Sequence, residues 1–180
     1  ILKEAGIIAK IIRMEPYKDP DEFIKALGPE AFEERINQAV NSFLFEIEVQ
    51  ESRYDFKDPE SKTAFFKATA KKLLEFTEEI DPDLVLAYHT QGKEIYWQFE
   101  DMEPPGARAL GEEFSRLSGY ELTEAAYNSS FAGYKDWFIQ MYRRPGFTIE
   151  VGEGINPLPL SEFDTIYRDN LGILVTAAIG

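Results

Sequence analysis

Two titratable side chains follow apolar segments that predict buried strands. His89 is the single histidine among the 180 residues and follows the apolar run from Leu84 to Tyr88. Glu150 lies at the end of the apolar segment 147–151. Ligands of α/β proteins bind outside the carboxyl ends of sheet strands. There an imidazole serves as a metal ligand or base, and a carboxylate serves as a general acid or base. The alternative for both is a structural role, which is the commoner role of a lone histidine.

Three further side chains carry possible chemistry. Asp19 and Asp21 are two residues apart, beside Pro20. A helix cap followed by an acid in the first turn explains both aspartates. The alternative is a shared magnesium site, because hard cations bind carboxylate oxygens. Tyr127 lies in a segment of small and polar residues, 120–130, and is either a surface tyrosine or one that swings over a cleft.

The composition excludes several classes of site. The chain has no cysteine, which excludes disulfides, thiolate zinc sites and a cysteine nucleophile. The formal net charge of −14 repels phosphate backbones and disfavours nucleic-acid binding by this chain alone. No apolar run approaches the roughly 20 residues that a membrane span needs. No signal peptide is recognisable, so a cytoplasmic location is expected, although the first residue is Ile1 and we expect the native start to be missing.

The first 80 residues predict a strand followed by helices. An apolar, β-branched run at residues 6–14 predicts a buried strand. Cap and proline signals predict a helix that stops at Leu27, before Gly28-Pro29. Apolar residues at helical spacing then predict two longer helices, one through Phe32–Ile47 and one from Pro59 to Ile80. We expect these two helices to form an antiparallel hairpin.

The last 100 residues alternate between strand and helix patterns. Three strands are predicted at residues 84–88, 93–99 and 147–151, and three helices at residues 105–118, 133–142 and 161–178. Such alternation indicates a sheet with helices packed on it. The chain is therefore predicted to be α/β. An N-terminal strand and helical hairpin fill residues 1–80, and a partial sheet with packed helices fills residues 81–180.

Four stretches of the second part carry a family resemblance: "LAYHTQGKEIYW", "YNSSFAGYKDWF", "PGFTIEVGEGINPLP" and "FDTIYRDNLGIL". They resemble the C-terminal half of zinc carboxypeptidases of the carboxypeptidase A type. Within that family they are most similar to the bacterial γ-D-glutamyl–diamino acid peptidases, which act on peptidoglycan stem peptides. The resemblance implies a peptide substrate and a zinc cofactor. It implies that His89 is the last zinc ligand, Glu150 the catalytic glutamate and Tyr127 the mobile tyrosine that closes on the substrate.

The same resemblance implies that the zinc site is incomplete. The family's first two ligands come from a His-x-x-Glu motif, and a chain with one histidine has no such motif. The family's arginine and asparagine that hold the substrate carboxylate belong to the same missing half. We therefore expect a metallocarboxypeptidase-like chain without activity of its own. Its sheet would lack flanking strands, so self-association is also expected.

Residues 1–80 resemble a different family. "AGIIAKIIRMEPYKDPDEFIKALGPEAFEERI" and "YDFKDPESKTAFFKATAKKLLEFTEEI" are similar to the end of the TOPRIM fold and the helical bundle of bacterial DNA primase. This resemblance implies that Asp19 and Asp21 are the family's last acidic pair, which binds magnesium. The two resemblances meet near Ile80-Asp81 without a linker, so we interpret the chain as a chimera. The alternatives to a peptidase function are a primase fragment, which belongs to RNA primer synthesis, and a chain with no catalysis.

Overall fold

The structure, a computed structural model, describes residues 9–124 and 133–179. Contacts divide the chain into two compact units, Ile1–Ile80 and Asp81–Gly180. The described residues contain seven α-helices, a two-stranded sheet and a four-stranded mixed sheet. The predicted α/β class is therefore confirmed. In the part of the chain that is described, no helix is long and apolar enough to cross a bilayer.

The first unit begins with a short strand and a capped helix. Strand β1 (Lys10–Ile11) pairs antiparallel with β2 (Val40–Asn41). Helix α1 (Pro20–Leu27) has the predicted bounds. The Asp19 carboxylate accepts a hydrogen bond from the backbone N–H of Glu22 at 2.9 Å, which satisfies a free donor of the first turn.

The helix predicted through Phe32–Ile47 is two helices with a strand between them. Helix α2 is Pro29–Asn37 and helix α3 is Ser42–Glu51. Strand β2 interrupts the helical path because its backbone pairs with β1. The Asn41 side chain then accepts from the backbone N–H of Phe43 at 2.8 Å and starts α3. The apolar residues keep their helical spacing across the interruption, so their periodicity did not reveal it.

Helix α4 (Pro59–Ile80) pairs with α3 as the predicted antiparallel hairpin. The rings of Phe43 and Phe76 stack with their centroids 4.7 Å apart. Lys72 and Glu46 form an ion pair farther along the same two helices. The residue numbers rise on α3 as they fall on α4, which is the pairing expected of antiparallel helices.

The second unit is built on the four-stranded sheet. Its strands are β3 (Val85–His89), β4 (Glu94–Tyr96), β5 (Glu121–Thr123) and β6 (Gly146–Glu150), in the spatial order β3-β6-β4-β5. Strands β3 and β6 are parallel, β6 and β4 are antiparallel, and β4 and β5 are parallel. Strand β5 was not predicted, because its three residues lie in a segment whose composition indicated a loop.

Three helices surround this sheet: α5 (Ala107–Ser118), α6 (Tyr134–Tyr142) and α7 (Phe163–Ile179). Helix α6 contacts β3 and β6, and α5 contacts α7. The core of the unit includes five fully buried side chains from two strands and two helices: Ile95, Phe114, Phe147, Ile149 and Ile173.

Helix α7 also has an exposed apolar stripe. Phe163, Tyr167, Leu171 and Val175 follow each other at intervals of four residues and are all exposed. Residues four apart lie on one face of a helix. This surface is compatible with the expected self-association, which stays a prediction.

Candidate functional site

His89 and Glu150 are register partners on two neighbouring parallel strands, β3 and β6. The backbone N–H of Val151 donates to the carbonyl of His89 at 2.9 Å and continues the pairing past the strand ends. Register partners point to the same face of a sheet, because side chains alternate between faces along each strand. The two strand ends are thus adjacent. The chemical roles assigned to the two residues stay predictions.

Glu94 joins this pair from the other side of β6. It is the register partner of Glu150 across the antiparallel pair β4 and β6. The Tyr96 hydroxyl, two residues along the same strand, donates to Glu94 Oε2 at 2.5 Å. Three titratable side chains, His89, Glu150 and Glu94, therefore form a row across three adjacent strands. We call this row the strand-end triad.

Burial and like charge both act on Glu150. Partial burial raises the pKa of its carboxyl above the usual value, because the charged form loses hydration. His89 acts in the opposite direction, and the negative charge of Glu94 raises the pKa further. The hydrogen bond to Glu94, followed by burial, raises the pKa of Tyr96 to about 12. A carboxyl with a raised pKa is a stronger base than a free carboxyl.

The turn after β3 is held by the segment that follows β6. The backbone N–H of Gly92 donates to the carbonyl of Gly152 at 2.9 Å. The side-chain amide of Asn156 donates to the carbonyl of Thr90 at 3.2 Å. Gly152 has a φ of 71°, and a Cβ added there would lie 2.6 Å from Leu158 Cδ1. Both the positive φ and the close approach require glycine at this position.

The described residues do not form a complete metal centre. Within residues 9–124 and 133–179, no group of three or more His, Cys, Asp or Glu side chains is arranged to hold a metal ion. His89 is exposed at the sheet edge and supplies at most one imidazole ligand. Tyr127, the predicted substrate-closing tyrosine, lies outside the described residues.

Asp19 and Asp21 both make contacts within α1 or at its start. Asp19 caps the helix through Glu22, as described above. Asp21 accepts from Lys25 Nζ at 2.6 Å, one helical turn later. Capping and an i,i+4 ion pair account for these contacts without a metal. The magnesium role of the two aspartates stays a prediction.

Sequence reasoning missed Glu94, Tyr96 and Asn156. Glu94 and Tyr96 lie on the same face of a strand that the sequence predicted, but no site residue was assigned to that strand. Their alternate spacing was a usable signal, but it became informative only once β4 was known to pair with β6. Asn156 lies in a loop, and no local pattern in a loop specifies which carbonyl a side chain will reach.

Comparisons with known proteins give partial matches. The chain is 64% identical over 91 residues to γ-D-glutamyl-L-diamino acid endopeptidase 1 of Lysinibacillus sphaericus. It is 46% identical over 96 residues to the uncharacterized protein YqgT of Bacillus subtilis. A weaker match, 38% over 82 residues, is to a DNA primase of Clostridium acetobutylicum.

These matches cover 51%, 53% and 46% of this chain, but 22%, 26% and 13% of the respective relatives. The chain therefore spans about a quarter or less of the length of the curated relatives it matches. No protein-family model and no solved structure matches it. The chain has partial homology to a peptidase and a weaker partial similarity to a primase.

Proposed function

We propose that residues 81–180 are part of a peptidase-type hydrolase that acts on peptidoglycan stem peptides. The observation that carries this proposal is the register pairing of His89 with Glu150 at the carboxyl ends of two parallel strands. The 64% identity to an enzyme named as a γ-D-glutamyl-L-diamino acid endopeptidase supports the substrate class. The length of that match, 91 residues, fits within this 100-residue unit.

Glu150 is the proposed general base. Its carboxylate would accept a proton from the attacking water and return it to the leaving amine. A raised pKa suits it to both steps, because each requires a different protonation state. Tyr127 is proposed as a hydrogen-bond donor to the substrate, by resemblance alone.

Zinc is part of this proposal by resemblance, and the described residues do not form its full site. A catalytic zinc uses three protein ligands with one position open for water. When bound, it would polarise the scissile carbonyl and lower the pKa of water. His89 is assigned one ligand position. We propose that these 180 residues alone do not turn over peptide.

A hybrid enzyme tests the proposal directly. The 91-residue matched region of the Lysinibacillus endopeptidase would be replaced by its counterpart from this chain. We expect the hybrid to hydrolyse a γ-D-glutamyl–diamino acid peptide. Glu150→Gln should remove the activity, while Glu153→Gln, a change at an exposed acid of the following loop, should not. A folded, zinc-loaded hybrid without hydrolysis would contradict the assignment.

A second candidate function is a fragment of the primer-synthesis machinery. The 38% identity to a DNA primase over 82 residues favours it. On this candidate, Asp19 and Asp21 are the remaining acids of a magnesium site in the first unit. The test is magnesium-dependent primer synthesis on a single-stranded template, with Asp21→Asn as the inactive control. Primer synthesis by the chain would establish this function. Because a fragment covers only 13% of the primase, the function is rejected if a Clostridium primase that carries the matched 82 residues of this chain folds but makes no primer.

The two partial similarities together support a chimeric origin. One partner is a peptidase and the other a primase, and the units divide between Ile80 and Asp81. Independent sequencing of the gene across codons 78–84 tests this idea. An uninterrupted junction in an independent clone would support a genuine fusion, and a different sequence would identify an assembly error.

A further inference from the structure

Three hydrogen bonds join the turn after β3 to the segment after β6. The carbonyls of His89 and Thr90 accept two of these bonds. The backbone N–H of Gly92 donates the other. Two of the three bonds are between backbone groups. The third comes from the side chain of Asn156, which donates to Thr90 at 3.2 Å. A substitution can therefore remove this bond without changing the sheet pairing.

We propose that Asn156 is a positioning residue for His89. Its amide holds the Thr90 carbonyl, which belongs to the peptide between residues 90 and 91, and so restrains the residue next to the one that carries the imidazole. The inference rests on the proposed role of His89 in the peptidase-type site. Asn156 contacts the turn that follows His89 and is not proposed to contact a substrate.

The loop that carries Asn156 is itself anchored. Leu158 packs closely against Gly152 and Gly154, since Cβ atoms added at these glycines would lie 2.6 Å and 3.5 Å from its methyl groups. Gly152 in turn accepts the hydrogen bond from Gly92. The backbone on both sides of Asn156 is therefore anchored, at Gly152 and at Leu158. Preorganised support of this kind is what keeps a site residue within a small range of orientations.

An amide is the group that this role needs. The Thr90 carbonyl is an acceptor, and the carboxamide N–H₂ of Asn156 is a donor. A carboxylate of the same size at this position is an acceptor only. Asn156→Asp therefore removes the bond at nearly constant volume and adds a negative charge near His89. Asn156→Ala removes the bond without adding charge, so the two variants separate positioning from electrostatics.

The full 180-residue chain provides its own reporter. With one histidine in the sequence, the imidazole gives a single set of NMR signals. We expect Asn156→Ala and Asn156→Asp both to lower the backbone order parameters of His89 and Thr90 from about 0.85 towards 0.6. The imidazole shifts should move as well. The amides of α5 and α7 should keep their positions, and Glu153→Gln should leave all of these signals unchanged.

The outcomes are distinct. Lowered order at His89 with an unchanged thermal midpoint supports positioning. Unchanged His89 signals in both Asn156 variants overturn it, as does a change seen in Asn156→Asp only, which would indicate charge alone. If Asn156→Ala does not fold, Asn156→Leu decides, because leucine has nearly the size of asparagine but neither a donor nor a charge. The measurement uses neither zinc nor substrate, so an inactive hybrid would reject the proposed function and leave this inference to its own test.

Discussion

Glu94 and Glu150 face each other across an antiparallel strand pair, so that two carboxylates of like charge share one end of the sheet. Neither carboxylate is fully exposed. Such a pair is destabilising when both members are ionised, because directly opposite like charges repel. The pair of Glu94 and Glu150 therefore costs some folding free energy when both carboxyls are ionised.

The first prediction follows from the raised pKa of Glu150. Between its usual pKa of 4.5 and its raised value, the folded state binds more protons than the unfolded state. By linkage, the free energy of unfolding then falls as the pH rises through this window. We expect Glu150→Gln to flatten that fall and to raise the melting temperature at pH 7 by roughly 1–3 °C.

Thermal unfolding from pH 4 to pH 8 at constant ionic strength measures the effect. Glu153→Gln is the matched control, because it removes an acid of the following loop that is exposed. A Glu150→Gln variant that is less stable than the parent chain at pH 7 would show that the carboxylate is stabilised in the folded state.

The second prediction concerns zinc. A single imidazole provides one of the three protein ligands that catalytic zinc sites use. We expect the 180-residue chain to bind zinc weakly, and His89→Ala to abolish that binding. Equilibrium dialysis at micromolar zinc with metal analysis is the measurement, and a stem-peptide assay should give no hydrolysis. Stoichiometric zinc after dialysis would mean that further ligands are recruited, for example from a second chain.

The third prediction separates the two explanations of Asp19. Removal of a helix-capping side chain costs about 1 kcal/mol. We expect Asp19→Ala to lower the free energy of unfolding by about this amount. Asp19→Asn, which keeps an acceptor for the N–H of Glu22, should be near neutral. Chemical denaturation measures both variants. A magnesium-dependent rise in stability that both substitutions remove would favour the metal site instead.

The fourth prediction uses Gly111 in α5. Alanine is favoured over glycine inside a helix by about 1 kcal/mol. At this position, however, a Cβ would lie 2.7 Å from Leu122 Cδ1 and 3.2 Å from Phe147 Cε1. We expect the clash to decide the sign, with Gly111→Ala destabilising by about 1–3 kcal/mol. In a Leu122→Ala background the same substitution should cost less or become stabilising. Denaturant titration of the double-mutant cycle provides the test.

The fifth prediction concerns a buried ion pair. Lys135 and Asp136 are 3% and 6% exposed and form an ion pair, and Lys135 Nζ also donates to the carbonyl of Gln98 at 2.6 Å. Lys135→Met would leave the Asp136 charge buried without its partner. We expect a loss of about 3 kcal/mol, because breaking a buried pair is costly. Lys135→Met combined with Asp136→Asn should recover part of it. Equal stability of both variants in urea would contradict this account.

Long, strongly patterned elements were predictable from the sequence. Helices α1 and α4 have the predicted bounds, because each begins at a proline. The end of α1 is marked by a glycine, and the length of α4 by apolar residues at helical spacing. Strands β3 and β6 were found because each is a short apolar run before a turn. In each case the local preference and the final environment agree, which is the condition for reading structure from sequence.

Short elements and side-chain partners were not predictable in the same way. Strands β2 and β5 have two and three residues, and they are strands only because a distant segment pairs with them. The position of Glu94 opposite Glu150 likewise depends on the order of the strands in the sheet. Tertiary pairing of this kind outweighs local propensity, and no window of the sequence contains it.

The strand order β3-β6-β4-β5 has a consequence for folding on the ribosome. Strand β6 lies between β3 and β4, although it follows them by about sixty and about fifty residues in the chain. A nascent chain that has not yet produced residues 146–150 has no common neighbour for the two earlier strands. The sheet therefore depends on contacts of high sequence separation, which slow folding. Until that strand emerges, β3 has no partner in the sheet and β4 can pair only with β5, and unpaired strand edges of this kind favour aggregation.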